Sequence, residues 1–283
     1  MANWPAERIR SKVLTAPMTQ FTWNAEDYER NSSQQRRWAR DLIAQLRLRG
    51  DEIVLDIGCG DGKVTAEIAS LVPHGRVLGI DLSPDMVRRA LEGHAPRHPN
   101  LCFEVGDASH LRFDGEFTVV FSNATLHWIK DHRPVLSGIA RSLRTDGNVL
   151  LQMGGKGNAA EVVEVMDEVT ALPRWRDYFV DFAFPYGFYQ PEEYRAWLEE
   201  ASLSPIRVEL LPKEMVHPGR EGLAGWLRTT WMPYLQRVPE AERRELLEAV
   251  LDRYLAGHPL DGDGNAHVRM ARLEVEAVKT PGS

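Results

Sequence analysis

The sequence is poor in cysteine. Only Cys59 and Cys102 occur among 283 residues, and neither has a cysteine or histidine neighbour at the spacing of a metal site. This usage predicts free thiols and a cytoplasmic location. Long apolar runs are also missing, since no stretch approaches the length that crosses a bilayer and the first residues, "MANWPAERIRSK", lack the apolar core of a secretory signal. We therefore expect no membrane partner.

Basic residues do not exceed acidic ones. The chain carries 34 Lys and Arg against 41 Asp and Glu, which gives a formal net charge of −7. Because nucleic acids are bound by cationic surfaces, this balance predicts no nucleic-acid partner. Residues 36–49 are locally basic, and we expect them to form a helix with a solvated charged face. The hydrophobic fraction of 43% is ordinary for a globular protein.

Strand-like and helix-like segments alternate between residues 50 and 155. Five short apolar runs are typical of strands: "IVLDIG", "RVLGIDL", "LCFEVGD", "FTVVFSN" and "NVLLQM". Three intervening segments have helical spacing: "KVTAEIASLV", "SPDMVRRALEG" and "HRPVLSGIARSLRTDG". In the second of these, Ser83 stands at the N-cap and Pro84 at the first position. The alternation predicts an α/β fold with a doubly wound, mostly parallel sheet covered on both faces.

The flanking regions are predicted to be mostly helical. Residues 21–48 and 190–202 have helical spacing, and residues 220–257 are typical of two helices divided near Pro239. Further strands are expected at "IRVELL" and "HVRMARLEVEAVK". We predict a single domain over residues 1–283, with an amino-terminal helical lid (1–49), a binding core (50–155) and a helical cap (214–263) inserted before the last strand.

The segment "LDIGCGDGKV" is the most informative part of the chain. Gly58, Gly60 and Gly62 follow a predicted strand and precede a helix, where glycine lets the backbone approach a ligand closely. A dinucleotide-binding loop, G-x-G-x-x-G, would need a third glycine where Lys63 stands. A phosphate-binding P-loop would need a hydroxyl residue where Val64 stands. The loop therefore fits neither a dinucleotide nor a nucleoside triphosphate well.

Acidic residues stand at the ends of three consecutive predicted strands. Asp56 precedes the glycines, Asp81 ends the second strand and Asp107 ends the third. Asp56 is unfavourable beside a diphosphate but suits an ammonium group. Asp81 is placed to accept hydrogen bonds from ribose hydroxyls, and Asp107 to accept one from an adenine amine. Any one aspartate could simply cap a helix, but three around one loop predict a nucleoside ligand with a cationic amino-acid tail.

These segments resemble the class I S-adenosylmethionine-dependent methyltransferases. The resemblance rests on "VLDIGCGDG", "VLGIDLSPDMV" and "FEVGDAS", which follow in the family's order. It implies a Rossmann-like, seven-stranded sheet whose last strand is antiparallel. It also implies S-adenosylmethionine as cofactor and S-adenosylhomocysteine as product. The loop glycines would lie along the methionine part, with Cys59 as a backbone contact rather than a nucleophile.

The cofactor-binding residues implied by the family, together with Asp56, form a set from five segments. By this resemblance, Asp81 holds the ribose, while Leu82 and Met86 lie near the adenine. The full set is Tyr28, Gln35, Asp56, Gly58, Cys59, Gly60, Asp81, Leu82, Met86, Gly106, Asp107, Ala108, Asn123 and Ala124.

Other segments are similar to the trans-aconitate methyltransferase group. They are "WNAEDYERNSSQQRRWARDLI", "VFSNATLHWIKDH", "LAGWLRTTWMPYLQRVPEAERREL" and "HPLDGDG". This similarity covers nearly the whole chain and implies a small carboxylic acid as methyl acceptor. Gln35 stands where the group often has an arginine, and Met232 stands where it carries a basic residue, with Arg228 as a nearby substitute. The identity of the acid therefore stays open.

His127 lies just past the fourth predicted strand, where the resemblance places the transferring methyl group. Because a neutral thioether leaves the sulfonium, the displacement requires no metal. A carboxylate acceptor is ionised at neutral pH and needs no base, whereas a base becomes useful for a phenol, an amine or a carbon acid. The trans-aconitate group often has glutamine at this position, which favours His127 as a group that orients the acceptor. The alternative is a ring that is only packed in a short helical turn.

Aromatic residues are candidates for the walls of the acceptor pocket, and Tyr189 is one of them, although core packing is the commoner role for any single aromatic. The residues expected to contact the acceptor are His127, Trp128, Tyr186, Arg228, Trp231 and Tyr234.

Several functions remain open from the sequence. The first is esterification of a small organic acid by a monomer or homodimer. The second keeps the enzyme but changes the acceptor to an acyl group on an acidic carrier protein, or to a phenol or carbon acceptor with His127 as base. The third is a nucleoside-binding protein without transferase activity.

Overall fold

The computed structural model describes residues 33–280. Within this range one sheet contains seven strands: β1 (Ile53–Ile57), β2 (Arg76–Asp81), β3 (Leu101–Val105), β4 (Phe117–Asn123), β5 (Leu143–Gly154), β6 (Leu203–Pro218) and β7 (Asn265–Lys279). The order across the sheet is β3-β2-β1-β4-β5-β7-β6. Strands β1 to β5 pair in parallel, and β7 runs antiparallel to both β5 and β6. The predicted fold class is confirmed, including the antiparallel last strand.

Helices connect and cover these strands. They are α1 (Ser33–Gln45), α2 (Lys63–Leu71), α3 (Pro84–His94), α4 (Arg133–Ser142), α5 (Ala160–Thr170), α6 (Pro191–Glu200), α7 (Gly219–Thr230), α8 (Met232–Leu235) and α9 (Glu240–Gly257). At the start of α3, the Ser83 hydroxyl accepts a hydrogen bond from the Met86 N–H at 3.4 Å, so the predicted cap is present. No helix in the described part of the chain is both long and apolar enough to cross a membrane.

The predicted boundary between α4 and β5 is wrong. The segment "HRPVLSGIARSLRTDG" was expected to be helical throughout, but the helix ends at Ser142 and β5 begins at Leu143. Leu143 is fully buried and pairs with Phe117, and the pairing of β4 with β5 then shifts register before Val119. Asp146 has φ of +62°, which a continuing helix does not permit. The five residues 143–147 therefore form an irregular start to the strand.

The buried residues fall into three clusters. Helices α4 and α6 pack on one face of the sheet, and α1, α2 and α3 pack on the other face. The third cluster joins α5, α7, α8 and α9 to the part of β7 that extends beyond β5, around Val268 and Met270. Since α7 to α9 lie between β6 and β7 in the chain, they gather beside the carboxyl end of β5. This arrangement leaves the carboxyl ends of β1 to β4 facing one region.

Candidate functional site

The glycine loop, residues 58–62, is clamped between β2 and the turn after β4. The N–H groups of Gly58 and Cys59 donate to the Ile80 carbonyl at 2.7 and 2.9 Å. Gly58 has φ of +78°, and an added Cβ would lie only 2.1 Å from the Thr125 side chain. The Thr125 hydroxyl in turn donates to the Gly58 carbonyl at 3.2 Å. A larger residue at this position would therefore push the loop away from β4.

Asp81 holds the middle of the loop. Its Oδ2 accepts from the Gly60 N–H at 3.0 Å, and its Oδ1 accepts from the Ser83 N–H at 2.9 Å. Burial raises the pKa of Asp81, although both backbone hydrogen bonds oppose that shift. An added Cβ on Gly60 would meet no atom within 4 Å. The loop therefore presents open space beside a carboxylate whose oxygens each keep a lone pair for a ligand hydroxyl.

A second carboxylate lies beneath the loop. Asp56 is 2% exposed, and its Oδ2 accepts a hydrogen bond from the Thr65 hydroxyl at 2.7 Å. Burial raises the pKa of Asp56 to about 7, and the nearby charge of Asp81 adds to this rise. A cation beside these two acids would favour their ionised forms. Burial also raises the pKa of the Cys59 thiol, which fits a backbone contact and not a nucleophile.

The end of β3 is held by a third aspartate. Asp107 caps a short 3₁₀ turn, Ala108–His110, where its Oδ1 accepts from the Ser109 N–H at 2.8 Å and its Oδ2 contacts His110 Nδ1 at 2.8 Å. The Gly106 N–H donates to the Asp81 carbonyl at 3.0 Å, which ties this turn to β2. Nearby, Leu82 is partly exposed whereas Met86 is buried. The capping role considered for Asp107 is therefore present.

The turn after β4 contains an unsatisfied polar atom. Asn123 Oδ1 is buried and has no hydrogen-bond partner within the described residues. Ala124 has φ of +56°, and its N–H donates to the Gln152 carbonyl at 2.8 Å. Buried oxygens normally accept a hydrogen bond, so Asn123 suits a ligand that carries a donor. Together with the open space at Gly60 and the two acids, this atom fits an adenosyl ligand with an ammonium group.

His127 is fixed by the backbone of β5. Its Nδ1 accepts a hydrogen bond from the Gly154 N–H at 3.3 Å, and its carbonyl accepts one from the Gly187 N–H at 2.8 Å. Burial lowers the pKa of His127 well below its usual value, and the charge of Arg272 lowers it further. The ring is therefore neutral at pH 7, and with Nδ1 acting as acceptor the proton is on Nε2. His127 can donate one hydrogen bond from Nε2.

A series of aromatic rings in contact extends from His127 to the helices α7 and α8. Trp128 and Tyr186 lie 5.2 Å apart between ring centroids, and both neighbour the His127 ring. Tyr186 also contacts Trp231 at 5.3 Å, and Trp231 contacts Tyr234 at 5.8 Å. The Tyr186 hydroxyl donates to the Thr230 carbonyl at 2.5 Å, which fixes the ring to α7. We call Trp128, Tyr186, Trp231 and Tyr234 the aromatic group.

The remaining predicted site residues are Tyr28, Gln35, Arg228 and Tyr189. Tyr28 lies outside the described residues, and so does the side chain of Gln35, although its backbone belongs to α1. Arg228 is exposed in the last turn of α7. Tyr189 packs instead against His132 and Trp197, on the side of α6.

Sequence reasoning missed several buried polar residues on β5 and β7. Gln152 and Glu274 face each other across these strands, with Gln152 Nε2 donating to Glu274 Oε1 at 2.7 Å. Arg272 is 4% exposed and pairs with Gly154. Asn158, just after β5, is 6% exposed. The sequence does contain a signal for two of them. Arg272 and Glu274 are charged residues at positions of β7 that share a face with the apolar Val268 and Met270.

Comparisons with known proteins agree with this arrangement. A family profile described as a methyltransferase domain matches residues 54–147. An uncharacterized methyltransferase of Schizosaccharomyces pombe is 31% identical, covering 93% of this chain and 100% of its own. Trans-aconitate 2-methyltransferase of Deinococcus radiodurans is 31% identical, covering 84% of this chain and 92% of its own.

A solved structure shares the fold. Phosphoethanolamine N-methyltransferase 2 of Haemonchus contortus, in complex with phosphomonomethylethanolamine and S-adenosylhomocysteine, superposes with a TM-score of 0.59. The two sequences are 22% identical, and the match covers 93% of this chain and 59% of that chain. At this identity the likeness concerns the arrangement of strands and helices.

Proposed function

Since the chain belongs to the S-adenosylmethionine-dependent methyltransferases, we propose that it methylates a carboxylate of a small organic acid to give a methyl ester. Several relatives are trans-aconitate 2-methyltransferases at about 30% identity, which supports an acid as acceptor. When bound, the cofactor supplies a methyl group on a sulfonium, which departs as a neutral thioether. The chain has to position the acceptor opposite that group and exclude water.

The observation that best supports the proposal is the hydrogen bonding of the His127 ring nitrogens. Its Nδ1 already accepts the Gly154 N–H, so its Nε2 donates and the neutral ring has no second lone pair to take a proton. Such a base would assist a phenol, an amine or a carbon acid, whereas a carboxylate oxygen attacks in its ionised form without one. A donated hydrogen bond from Nε2 orients the carboxylate. The aromatic group supplies a dry wall on the side of the cap.

The cofactor contacts are part of the proposal. We assign the ribose hydroxyls to Asp81 and the adenine to Leu82, Met86 and the turn at Asp107. The methionine part is assigned to the glycine loop, with the ammonium group near Asp56. Asn123 Oδ1, which is buried without a partner, accepts a hydrogen bond from the ligand. Following the family resemblance, we also assign Tyr28 and Gln35 to the methionine end of the cofactor.

Incubation with methyl-labelled cofactor and a panel of acceptors tests the reaction class. The panel contains di- and tricarboxylic acids, fatty acids, phenols and an acylated carrier protein. The expected product is a labelled methyl ester that is released by mild base. A product that is wholly stable to base would contradict esterification, and a requirement for the carrier protein would identify a different acceptor.

Substitution of His127 separates orientation from base catalysis. Glutamine offers an amide N–H near the position of Nε2 but cannot take up a proton at neutral pH. We expect His127→Gln to keep kcat within about tenfold of the native value, with no change in the shape of the pH–rate profile. His132→Gln is not a suitable control, because His132 is a buried structural ring bonded to Tyr194. His74→Gln is the matched control, since that ring is exposed in the turn before β2. A severe loss in His127→Gln with a flattened profile near neutrality would indicate a base.

A further inference from the structure

A buried cation, Arg272, lies near His127 because both residues flank Gly154. Arg272 in β7 is 4% exposed, and its Cζ lies 5.8 Å from the centroid of the Trp38 ring in α1. Arg272 pairs with Gly154 across the sheet, and the Gly154 N–H donates to His127 Nδ1. Opposed residues of antiparallel strands have Cα atoms about 4.5–5.5 Å apart. The arginine and the histidine are therefore neighbours on either side of Gly154.

Glu274 is the next residue on the same face of β7, and both of its carboxylate oxygens accept hydrogen bonds from other side chains. Glu274 is 2% exposed, and its Oε1 accepts from Gln152 at 2.7 Å. Its Oε2 accepts from Arg207 at 3.0 Å and from Gln45 at 3.5 Å. This network joins α1 to β5, β6 and β7. Arg272 stands between the network and the cluster of cap residues that contains the aromatic group.

A buried amide lies over the same glycine. An added Cβ on Gly154 would approach Asn158 Nδ2 to 3.0 Å, so the Asn158 side chain covers that backbone position. Asn158 is 6% exposed, and its Oδ1 is buried without a hydrogen-bond partner among the described residues. This oxygen suits a donor such as an ordered water, whereas Nδ2, the atom that covers Gly154, is the one able to donate to a carboxylate. Arginine, amide and histidine thus converge on one point at the end of β5.

We propose that Arg272, assisted by Asn158, binds a second carboxylate of the acceptor, one that is not methylated. This inference rests on the proposed function, because it presumes that the acceptor is an acid. A guanidinium recognises a carboxylate through two parallel hydrogen bonds, and such a pair is stronger in a buried site than at the surface. Pairing the reacting carboxylate with a cation would weaken it as a nucleophile. Arg272 therefore serves the second carboxylate while His127 orients the reacting one.

The consequence is selectivity for di- and tricarboxylic acids. An acceptor with a single carboxylate gains only the His127 contact, whereas a dicarboxylate gains both. The arginine also replaces the basic residue that the trans-aconitate group carries at the position of Met232. Here the cation comes from the last strand instead of the segment between β6 and β7.

Paired acceptors test this assignment. Fumarate and glutarate are each compared with the corresponding monoamide, which keeps length and shape but lacks one charge, and trans-aconitate is added. For the native enzyme we expect kcat/KM to favour each dicarboxylate by at least about tenfold. In Arg272→Gln, the KM of the dicarboxylates rises by at least about tenfold with little change in kcat, and the monoamides are unaffected. Arg272→Lys keeps the charge but not the paired hydrogen bonds, so its preference is intermediate.

Controls separate this role from a structural one. Arg269→Gln lies on the same strand, where Arg269 is exposed and pairs with Glu161, and it keeps the native preference. Cofactor affinity, measured by calorimetry, stays native in every variant and reports an intact fold. Equal use of dicarboxylates and monoamides by the native enzyme would overturn the assignment, as would an equal loss for both in Arg272→Gln. If Arg272→Gln does not fold, the same comparison in Arg272→Lys decides. Failure of the proposed function has a different outcome, since the native enzyme would then form no base-labile ester from any acid.

Discussion

At the scale of single residues, the site depends on atoms whose environment differs from their usual one. Asp56 is nearly fully buried beside another acid, and its pKa is raised to about 7. Gly58 occupies a left-handed conformation against Thr125. Under the proposed function, both features serve one requirement, which is to bring the loop and two carboxylates close to a cationic ligand. Each has a measurable cost when no ligand is bound.

The raised pKa of Asp56 predicts a pH dependence of stability. The unfolded chain ionises Asp56 near 3.8, whereas the folded protein retains the proton until about pH 7. The stabilising contribution of protonated Asp56 is therefore present at low pH and is lost as the pH rises from about 4 to about 7. The free energy of unfolding falls by up to about 1.4 kcal/mol per pH unit in this range. Asp56→Asn should lack this slope in denaturant titrations from pH 5 to pH 8.

Asp85→Asn is the control for that experiment, because Asp85 is exposed at the start of α3. It should follow the native pH dependence. Identical slopes in the native protein and in Asp56→Asn would show that Asp56 ionises normally.

Two glycine substitutions should have different effects. In Gly58→Ala, the new Cβ meets Thr125 at 2.1 Å in a left-handed backbone, so we expect a loss of about 1–3 kcal/mol in the free energy of unfolding. In Gly60→Ala, the Cβ meets no protein atom within 4 Å. Only the backbone cost of about 1–2 kcal/mol remains there, but the methyl group occupies the proposed ligand space and weakens cofactor binding at least tenfold.

Denaturant unfolding and calorimetric titration with cofactor measure these two effects. Gly93→Ala serves as control, because Gly93 lies within α3 and an added Cβ meets nothing. It should stabilise the protein by about 1 kcal/mol and leave cofactor binding unchanged. Native cofactor affinity in Gly60→Ala would remove the loop from the binding site.

At the scale of elements, α1 illustrates how a charged helix is held. Its inner face buries Trp38, Ala39, Leu42 and Ile43, while Arg40 on the outer face pairs with Glu67 in α2. The basic segment, residues 36–49, was predicted to be a helix with a solvated face. Its first part is helical, but the helix ends at Gln45, and residues 46–49 lie outside it with Arg47 at φ of +47°. Because exposed ion pairs contribute little, the apolar face holds the helix in place.

Substitutions on the two faces of α1 should therefore differ. Leu42 is fully buried, so Leu42→Ala is expected to lower the free energy of unfolding by about 2–5 kcal/mol. Arg40→Ala should leave the stability unchanged within error, since both partners of its ion pair reach solvent. Thermal and denaturant unfolding of both variants check this, and a larger loss for Arg40→Ala would mean that the ion pair orders α1.

Elements were predictable where local pattern and tertiary position agree. The first three strands are short apolar runs that end in aspartate or are followed by glycine, and α3 carries its own cap. The start of β5 was missed because Arg144, Thr145 and Asp146 are exposed and polar, like the end of a helix. The structure makes these residues part of a strand through pairing with β4, which no local pattern contains.

The buried charges of β7 were missed for a related reason. In "HVRMARLEVEAVK", His267 and Arg269 face outward, whereas Arg272 and Glu274 face the side of Val268 and Met270. Alternation alone assigns polar residues to solvent. Here β7 lies between β5 and β6, and α1 packs over the face that carries these charges, so Glu274 is buried with partners from β5, β6 and α1. Only the assembled sheet reveals them.

At the scale of the whole molecule, the two proposed ligands are assigned to different cores. The proposed cofactor region borders the glycine loop and the core of α1 to α3, and the proposed acceptor region borders the cluster of α5 and α7 to α9. Changes in the cap should therefore alter the use of the acceptor more than the affinity for the cofactor.

Tyr186→Phe tests this division. The substitution removes the hydroxyl that donates to Thr230 and leaves a buried carbonyl without that donor, at a cost of about 1–3 kcal/mol in stability. We expect a higher KM for the acceptor and an unchanged dissociation constant for the cofactor. Tyr178→Phe loses a hydrogen bond to Glu242 nearer the surface. It should leave both the KM for the acceptor and the dissociation constant for the cofactor unchanged. A weakened cofactor affinity in Tyr186→Phe would show that the two regions are coupled.

The insertion of β7 between β5 and β6 has a consequence for biosynthesis. During translation β6 emerges before β7, and within residues 33–280 its strand partner, over Leu203 to Pro218, is β7. A ribosome-bound chain that has not yet released residues 265–279 therefore exposes two strand edges that can pair wrongly with other chains. The cofactor region can form from earlier residues, but Arg272 arrives last. A nascent chain would thus acquire the ability to bind cofactor before it could select an acceptor.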